Sequence, residues 1–218
     1  MKFHGLLFDL DGTILDTTNL ILQSFQHTFH IHYNRQIAPQ EVHRFFGKTL
    51  RAAMEALGPD KVEELIATYR EFNLAHHDEL TSTFAGMHET LQKLHEADFP
   101  MAIVTSKASE TALRGLKLFH MDHFFSVIIG VNECSKHKPD TEPVRKALEQ
   151  LQLPASACLM IGDSPFDIIS AREAGAKTAA VRWTHVSWQE LLTENPTYIL
   201  EKPQDLLSLC GLRSLNKK

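Results

Sequence analysis

Two carboxylates stand two residues apart in the run Asp9-Leu10-Asp11-Gly12-Thr13, directly after the apolar stretch 3–8. An ionised acid at the end of a buried strand is costly unless a cation or hydrogen bonds compensate it. Two such acids point to a site built around a metal ion. Three more places put useful side chains at or just beyond the end of an apolar run. Thr105 and Ser106 follow Met101 to Val104, Asp163 follows the run 158–161 with Asp167 four residues later, and Lys138 lies in the loop Lys136-His137-Lys138-Pro139. All of these would project from one sheet edge if the strands are parallel.

Positioning such groups requires elements that end together. Five short apolar runs, 5–10, 101–105, 124–129, 158–161 and 178–181, have the length and the Ile, Val, Leu, Phe and Ala content of buried strands. Helical periodicity lies between them, at Ala112, Leu113, Leu116 and Phe119, at Val144, Ala147, Leu148 and Leu151, and at Ile168, Ile169 and Ala174, where Gly175 marks a stop. Strand and helix in alternation predict a parallel sheet covered on both faces. Between the first two strands the alternation breaks. Residues 20–29, 39–45, 50–57 and 61–76 read as amphipathic helices, and no convincing strand falls between about 17 and 83. The expected architecture is a Rossmann-like α/β core, residues 1–16 and 84–218, with an inserted α-helical cap, residues 17–83. The cap would sit over the carboxyl edge of the sheet, close on a small substrate and exclude water.

A chain of 218 residues can bury a full core and carry one small insert. Its net charge of −5 argues against a nucleic-acid partner, but a phosphorylated small molecule stays compatible because a bound divalent ion reverses the local sign. Cys134, Cys158 and Cys210 are odd in number, far apart and without a Cys-x-x-Cys pair, which fits a reducing cytoplasm. The first apolar run is short and stops at acids, unlike a signal peptide, and no stretch approaches the ~20 apolar residues that span a bilayer, so no membrane partner is expected. A calcium loop opening at Asp9 would need Glu at position 20, which is Leu20. Gly47-Lys48-Thr49 looks like the end of a P-loop, but Val42 takes the place of its first glycine. The 13 histidines lack zinc-site spacing and read mostly as solvated side chains.

The four polar segments together resemble the motifs of the haloacid dehalogenase superfamily, whose members are mostly phosphatases. Asp9 to Thr13 match its Asp-x-Asp-Gly-Thr motif, Thr105 its second, Lys138 before Pro139 its third, and Gly162 to Asp167 its Gly-Asp-x-x-x-Asp motif. The resemblance covers nearly the whole chain and extends to the helical insert. It implies that Asp9 attacks phosphorus to form an aspartyl-phosphate, needing no base because a carboxylate is already charged at pH 7. Asp11 would protonate the leaving oxygen and then deprotonate water. Mg2+ would bridge Asp9, the Asp11 carbonyl, Asp163 and a phosphate oxygen, with Asp167 holding it directly or through water. Thr105, the Ser106 amide and Lys138 would bind the phosphoryl oxygens, and Gly12 would permit a turn, with Thr13, that brings amides close to phosphate.

Substrate choice is expected to lie in the insert. The stretch His43 to Arg51 carries Arg44, Lys48, Arg51 and a His with no acid, so Lys48 and Arg51 either face the site and bind an anionic leaving group or belong to a solvated loop. At a finer level the chain is similar to PpaX-type inorganic pyrophosphatases in Gly12 to Thr17, in Lys61 to Ile66 with Tyr69-Arg70, in Phe72-Asn73 and His76 to Leu80, and in Thr178 to Val181 with Trp183-Thr184. That similarity implies hydrolysis of pyrophosphate to two phosphates. A phosphoglycolate phosphatase, another small phosphomonoesterase, a phosphomutase and a silent binding module are the alternatives. Monomer and homodimer both stay open. Two departures from the pattern are Thr141, where Lys-Pro-x-Pro is common, and Ser164-Pro165-Phe166 in the fourth motif.

Overall fold

The computed structural model describes residues 3–184 and 186–212. In chain order the elements are β1 (Gly5–Phe8), β2 (Leu15–Asp16), α1 (Thr18–Tyr33), α2 (Pro39–His43), α3 (Leu50–Leu57), α4 (Val62–Leu80), β3 (Ser82–Thr83), α5 (Met87–Glu96), β4 (Met101–Val104) and α6 (Ser109–Leu118). They continue with β5 (Val127–Ile129), α7 (Glu142–Leu151), β6 (Cys158–Gly162), α8 (Pro165–Glu173), β7 (Lys177–Val181), α9 (Trp188–Thr193), β8 (Tyr198–Leu200) and α10 (Asp205–Leu209).

Six strands form one parallel sheet in the order β5-β4-β1-β6-β7-β8, a Rossmann-like α/β core. The strands are apolar throughout because both faces are covered, and their alternation divides them between two cores. Leu6, Phe8, Ile103, Leu159 and Ile161 face Leu91 of α5, Leu116 of α6 and Leu206 of α10. Leu7, Ala102, Val104 and Met160 face Val144 and Leu148 of α7 and Ala171 of α8. Helices α1 to α4, inserted in the chain between β2 and β3, gather Phe25, Phe29, Val42, Met54, Leu65 and Ile66 into a cluster of their own. No helix among the described residues is long and apolar enough to cross a membrane.

Three details depart from expectation. The run 124–129 starts its strand only at Val127, because Phe124 lies in a 3-10 turn and packs among the rings of His88, His95 and His123. β8 joins the sheet although its three residues carry no usable period, and Ile199 at this edge is exposed. Ser82–Thr83 pairs antiparallel with Leu15–Asp16 inside the stretch expected to be strand-free. Two-residue strands are invisible to a period-2 search, yet this ribbon ties together both ends of the insert.

The end of α4 docks on α6. Arg114 donates through Nε to Asp78 Oδ1 at 2.9 Å and through Nη1 to the Leu74 carbonyl at 2.9 Å. His77 is fully buried beside Gly115, where an added Cβ would sit 3.5 Å from its Nε2 and 2.7 Å from Leu15 Cδ1. Its Nδ1 lies 2.8 Å from Asp78 Oδ1; a carboxylate only accepts, so Nδ1 carries the hydrogen. Nε2 has no partner among the described residues. Burial pulls the imidazole below its usual value, the Asp78 carboxylate opposes this, and the Lys107 and Arg114 charges reinforce it. Below about pH 6.5 the unfolded chain takes up a proton that folded His77 refuses, so stability falls as the pH drops. Replacing His77 with Gln should flatten the loss of unfolding free energy between about pH 7 and 5 in urea titrations; an equally steep loss would remove His77 as its source.

Candidate active site

Three neighbouring strands end at the same edge and deliver the chemistry. The Asp9 N–H donates to the Ile161 carbonyl at 2.9 Å, carrying the ladder one residue beyond β1. The Thr105 N–H donates to the Ile129 carbonyl at 2.9 Å, directly beyond β4. Asp163 follows β6. Lys138 arrives from the loop between β5 and α7 and spends all three ammonium hydrogens at once, on Asp9 Oδ1 at 2.6 Å, Asp167 Oδ1 at 2.6 Å and the Val104 carbonyl at 3.0 Å. Burial alone would pull this ammonium down, but the Asp167 and Asp9 carboxylates hold it well above the usual lysine value.

The acids are less well compensated. One oxygen each of Asp9, Asp163 and Asp167 lies within 4.8 Å of the others, and all three residues are buried. Burial pushes Asp9 up to about 7, against the pull of Lys138, with the Asp167 and Asp11 charges adding to the rise. Desolvation disfavours the charged form of Asp9, and further positive charge beside it would favour ionisation. Burial, then the charges of Asp9 and Asp167, raise Asp163 well above a normal carboxyl, though Thr184 Oγ1 donates to its Oδ2 at 2.8 Å. One ammonium for three buried carboxylates is the donor set of a hard divalent cation.

Other expected residues take different places. The Asp11 side chain stays outside the acid cluster, where its Oδ1 accepts from Lys107 Nζ at 2.6 Å and Thr17 Oγ1 at 2.6 Å. Asp167 has both oxygens engaged, since Oδ2 accepts from the Ser164 amide at 3.0 Å and the Ser164 hydroxyl at 2.7 Å in a capping box at the start of α8. Pro165 takes the first helical position, where no N–H is needed, and leaves this cap intact. Gly12 has a φ of +80° and an added Cβ would fall 2.1 Å from Asp163 Oδ2. Its N–H donates to the Leu15 carbonyl and that of Thr13 to the Leu10 carbonyl, so Gly12 supplies room for Asp163 and not an amide for phosphate. Thr13 is buried, with its carbonyl accepting from Trp183 Nε1 at 3.1 Å.

A cavity of about 510 Å3 opens over the acids. Asp9, Asp11, Thr105, Ser106 and Asp163 line its floor from the sheet edge, and Lys48, Arg51, Tyr69, Arg70 and Asn73 line it from the insert. Arg51 is not an unopposed charge: both its terminal nitrogens meet Glu63, at 2.8 and 3.1 Å. Ser106 Oγ donates to the Gly47 carbonyl at 2.8 Å. Among the described residues the acid trio is the group whose ligand atoms lie close enough together to hold a metal ion.

The family model described as "Haloacid dehalogenase-like hydrolase" matches residues 6–181. The chain belongs to the haloacid dehalogenase-like hydrolases. Within that family it is similar to Pyrophosphatase PpaX of Anoxybacillus flavithermus, 43% identical over 214 residues that cover 98% of this chain and 100% of that one. A protein of the same name from Halalkalibacterium halodurans is 39% identical over 214 residues, again covering 98% of this chain and 100% of that one. A solved haloacid dehalogenase-like hydrolase from Streptococcus pneumoniae matches with a TM-score of 0.87 at 28% identity, covering 96% of this chain and 99% of that chain. The chain is thus a hydrolase of the phosphatase type.

Four contacts of this haloacid dehalogenase-like site escaped the sequence reading. Lys107 and Thr17 hold Asp11, Thr184 holds Asp163, and Ser164 holds Asp167. Lys107 directly follows Thr105-Ser106 and was open to suspicion on that ground. Thr184 lies 21 residues beyond Asp163, and the resemblance at Trp183-Thr184 gave no sign of this contact. Removing one partner from a buried charge cluster leaves the others uncompensated. Lys138→Met should therefore lower the unfolding free energy by about 3–5 kcal/mol at pH 8 in chelator, read by urea titration; a change under 1 kcal/mol would show that the acids do not depend on this ammonium.

Proposed function

We propose that the protein hydrolyses inorganic pyrophosphate to phosphate, with Mg2+ held by Asp9, Asp163, the Asp11 carbonyl and, directly or through water, Asp167. The observation that carries this reading is the acid trio with a single ammonium beneath a cavity whose far wall bears cations. The names of the full-length relatives support the substrate. The bound ion would supply the positive charge that keeps Asp9 ionised and offsets charge on the phosphoryl oxygens.

Asp9 is the nucleophile, forming an acyl phosphate as the P–O bond to the second phosphate breaks. Lys138, already on Asp9 Oδ1, orients that carboxylate and neutralises it together with Asp167. Thr105 and the Ser106 amide bind the transferring phosphoryl oxygens. Asp11 gives a proton to the departing phosphate and takes one from the water that cleaves the aspartyl-phosphate. Lys107 and Thr17 grip Asp11 through Oδ1 and fix its orientation. Residues 17–83 act as a cap on the core formed by 1–16 and 84–218; it excludes water, and Lys48 and Arg51 meet the second phosphate.

A panel of pyrophosphate, phosphoglycolate and p-nitrophenyl phosphate, scored by phosphate release with and without magnesium, tests the substrate. Pyrophosphate should turn over fastest and only with the metal; equal or faster phosphoglycolate release would overturn the substrate and leave the mechanism. Asp9→Asn should abolish turnover while magnesium-dependent ligand binding survives in part, and residual activity near wild type would exclude Asp9 as nucleophile. Arg51→Ala should raise the pyrophosphate KM with little change for p-nitrophenyl phosphate; equal effects on both would return this residue to the surface.

A further inference from the structure

The loop between α2 and α3 touches two of the loops that carry the acids and the hydroxyls. Ser106 Oγ donates to the Gly47 carbonyl at 2.8 Å. Gly47 also lies flat on the start of α8: an added Cβ would fall 2.6 Å from Ser164 Oγ, 2.7 Å from Ser164 Cβ and 3.0 Å from Phe166 Cδ2. Its φ of +82° suits glycine, so two independent constraints hold this position free of a side chain.

Lys48 comes next, and its ammonium is held differently from the charged groups of Lys138, Lys107 and Arg51. Lys138 is paired with Asp9 and Asp167, Lys107 with Asp11 and Arg51 with Glu63. Lys48 makes no ion pair with a carboxylate among the described residues. Its Nζ lies instead 5.2 Å from the ring centroid of Phe45, in the insert, and 5.7 Å from that of Phe166, in the core. Ring faces attract a cation without neutralising it. They restrict a long, flexible side chain that would otherwise lose rotamer entropy on binding, and they leave its charge for a ligand. Phe166 sits between Asp163 and Asp167, so the turn that carries two acids also carries the ring that steadies this cation.

We infer that Phe166 is a positioning residue for the second phosphoryl group, acting through Lys48. The inference rests on the pyrophosphatase reading, in which Asp9 takes one phosphoryl group at the cavity floor. A ligand with one phosphoryl group fills that floor; a ligand with two extends toward the wall that Lys48 lines. Phe166 holds Lys48 over that second group and discriminates a diphosphate from a monophosphate.

Methylenediphosphonate, which resists hydrolysis, and orthophosphate serve as probes in titration calorimetry with magnesium, so the test does not depend on turnover. The wild-type protein should bind methylenediphosphonate more tightly than orthophosphate. Phe166→Leu should weaken methylenediphosphonate about two- to fivefold and orthophosphate by less than half as much. Phe166→Tyr, which keeps the ring, should restore wild-type binding. On a Lys48→Ala background Phe166→Leu should have no further effect. Equal weakening of both ligands, failure of Phe166→Tyr to restore binding, additivity with Lys48→Ala, or no wild-type preference for the diphosphonate would each overturn the inference. Tight methylenediphosphonate binding without release of phosphate from pyrophosphate would instead refute the substrate and leave the role of Phe166 standing.

Discussion

The ammonium of Lys138, held between the buried carboxylates of Asp9 and Asp167 with Asp163 nearby, is the interaction on which the rest of the site depends. Its three hydrogens are all used, and its geometry leaves nothing to adjust. One positive charge faces three buried carboxylates; burial first, and then the neighbouring carboxylate charges, raise Asp9 and Asp163. A cluster of this kind is weak material for stability. It makes sense as a receptor for one more cation, in a protein whose family is one of hydrolases.

Such a cluster can form only where several chain segments end side by side. The parallel sheet meets that demand because β1 lies between β4 and β6, and all three run the same way. Each of these three strands is buried on both faces and releases its polar side chains only past its last residue, where Asp9, Thr105 and Asp163 stand. The loop bearing Lys138 then crosses the edge and joins the acids from outside the sheet. The helices of the insert build a separate cluster and return to this edge through few contacts: Thr17 on Asp11, Gly47 on Ser106 and Ser164, and Lys48 over Phe166. Each contact lands on a residue within or beside a motif, so the helical segment is fixed to the same loops that carry the acids.

Long apolar runs and helical stretches were legible because burial imposes a period on the sequence. The edge strand Tyr198–Leu200 and the Leu15–Asp16 to Ser82–Thr83 ribbon were not, since two or three residues cannot display a period and their pairing is a long-range event. Asp9, Asp11 and Asp163 were legible by residue type at the ends of apolar runs, and Lys138 and Asp167 by their motifs. Lys107 and Thr184 were not, because each matters only through the acid it touches.

Local chemistry already present in the chain determined the alternation of strands and helices, the placement of carboxylates at strand ends and the family to which these motifs belong. Tertiary structure alone decided which acid meets which cation. It gave Arg51 to Glu63, Lys107 to Asp11 and Lys48 to two aromatic rings, and it filled both oxygens of Asp167. Charge pairing depends on distances of a few ångströms between residues far apart in the chain, and only the packed fold sets those distances.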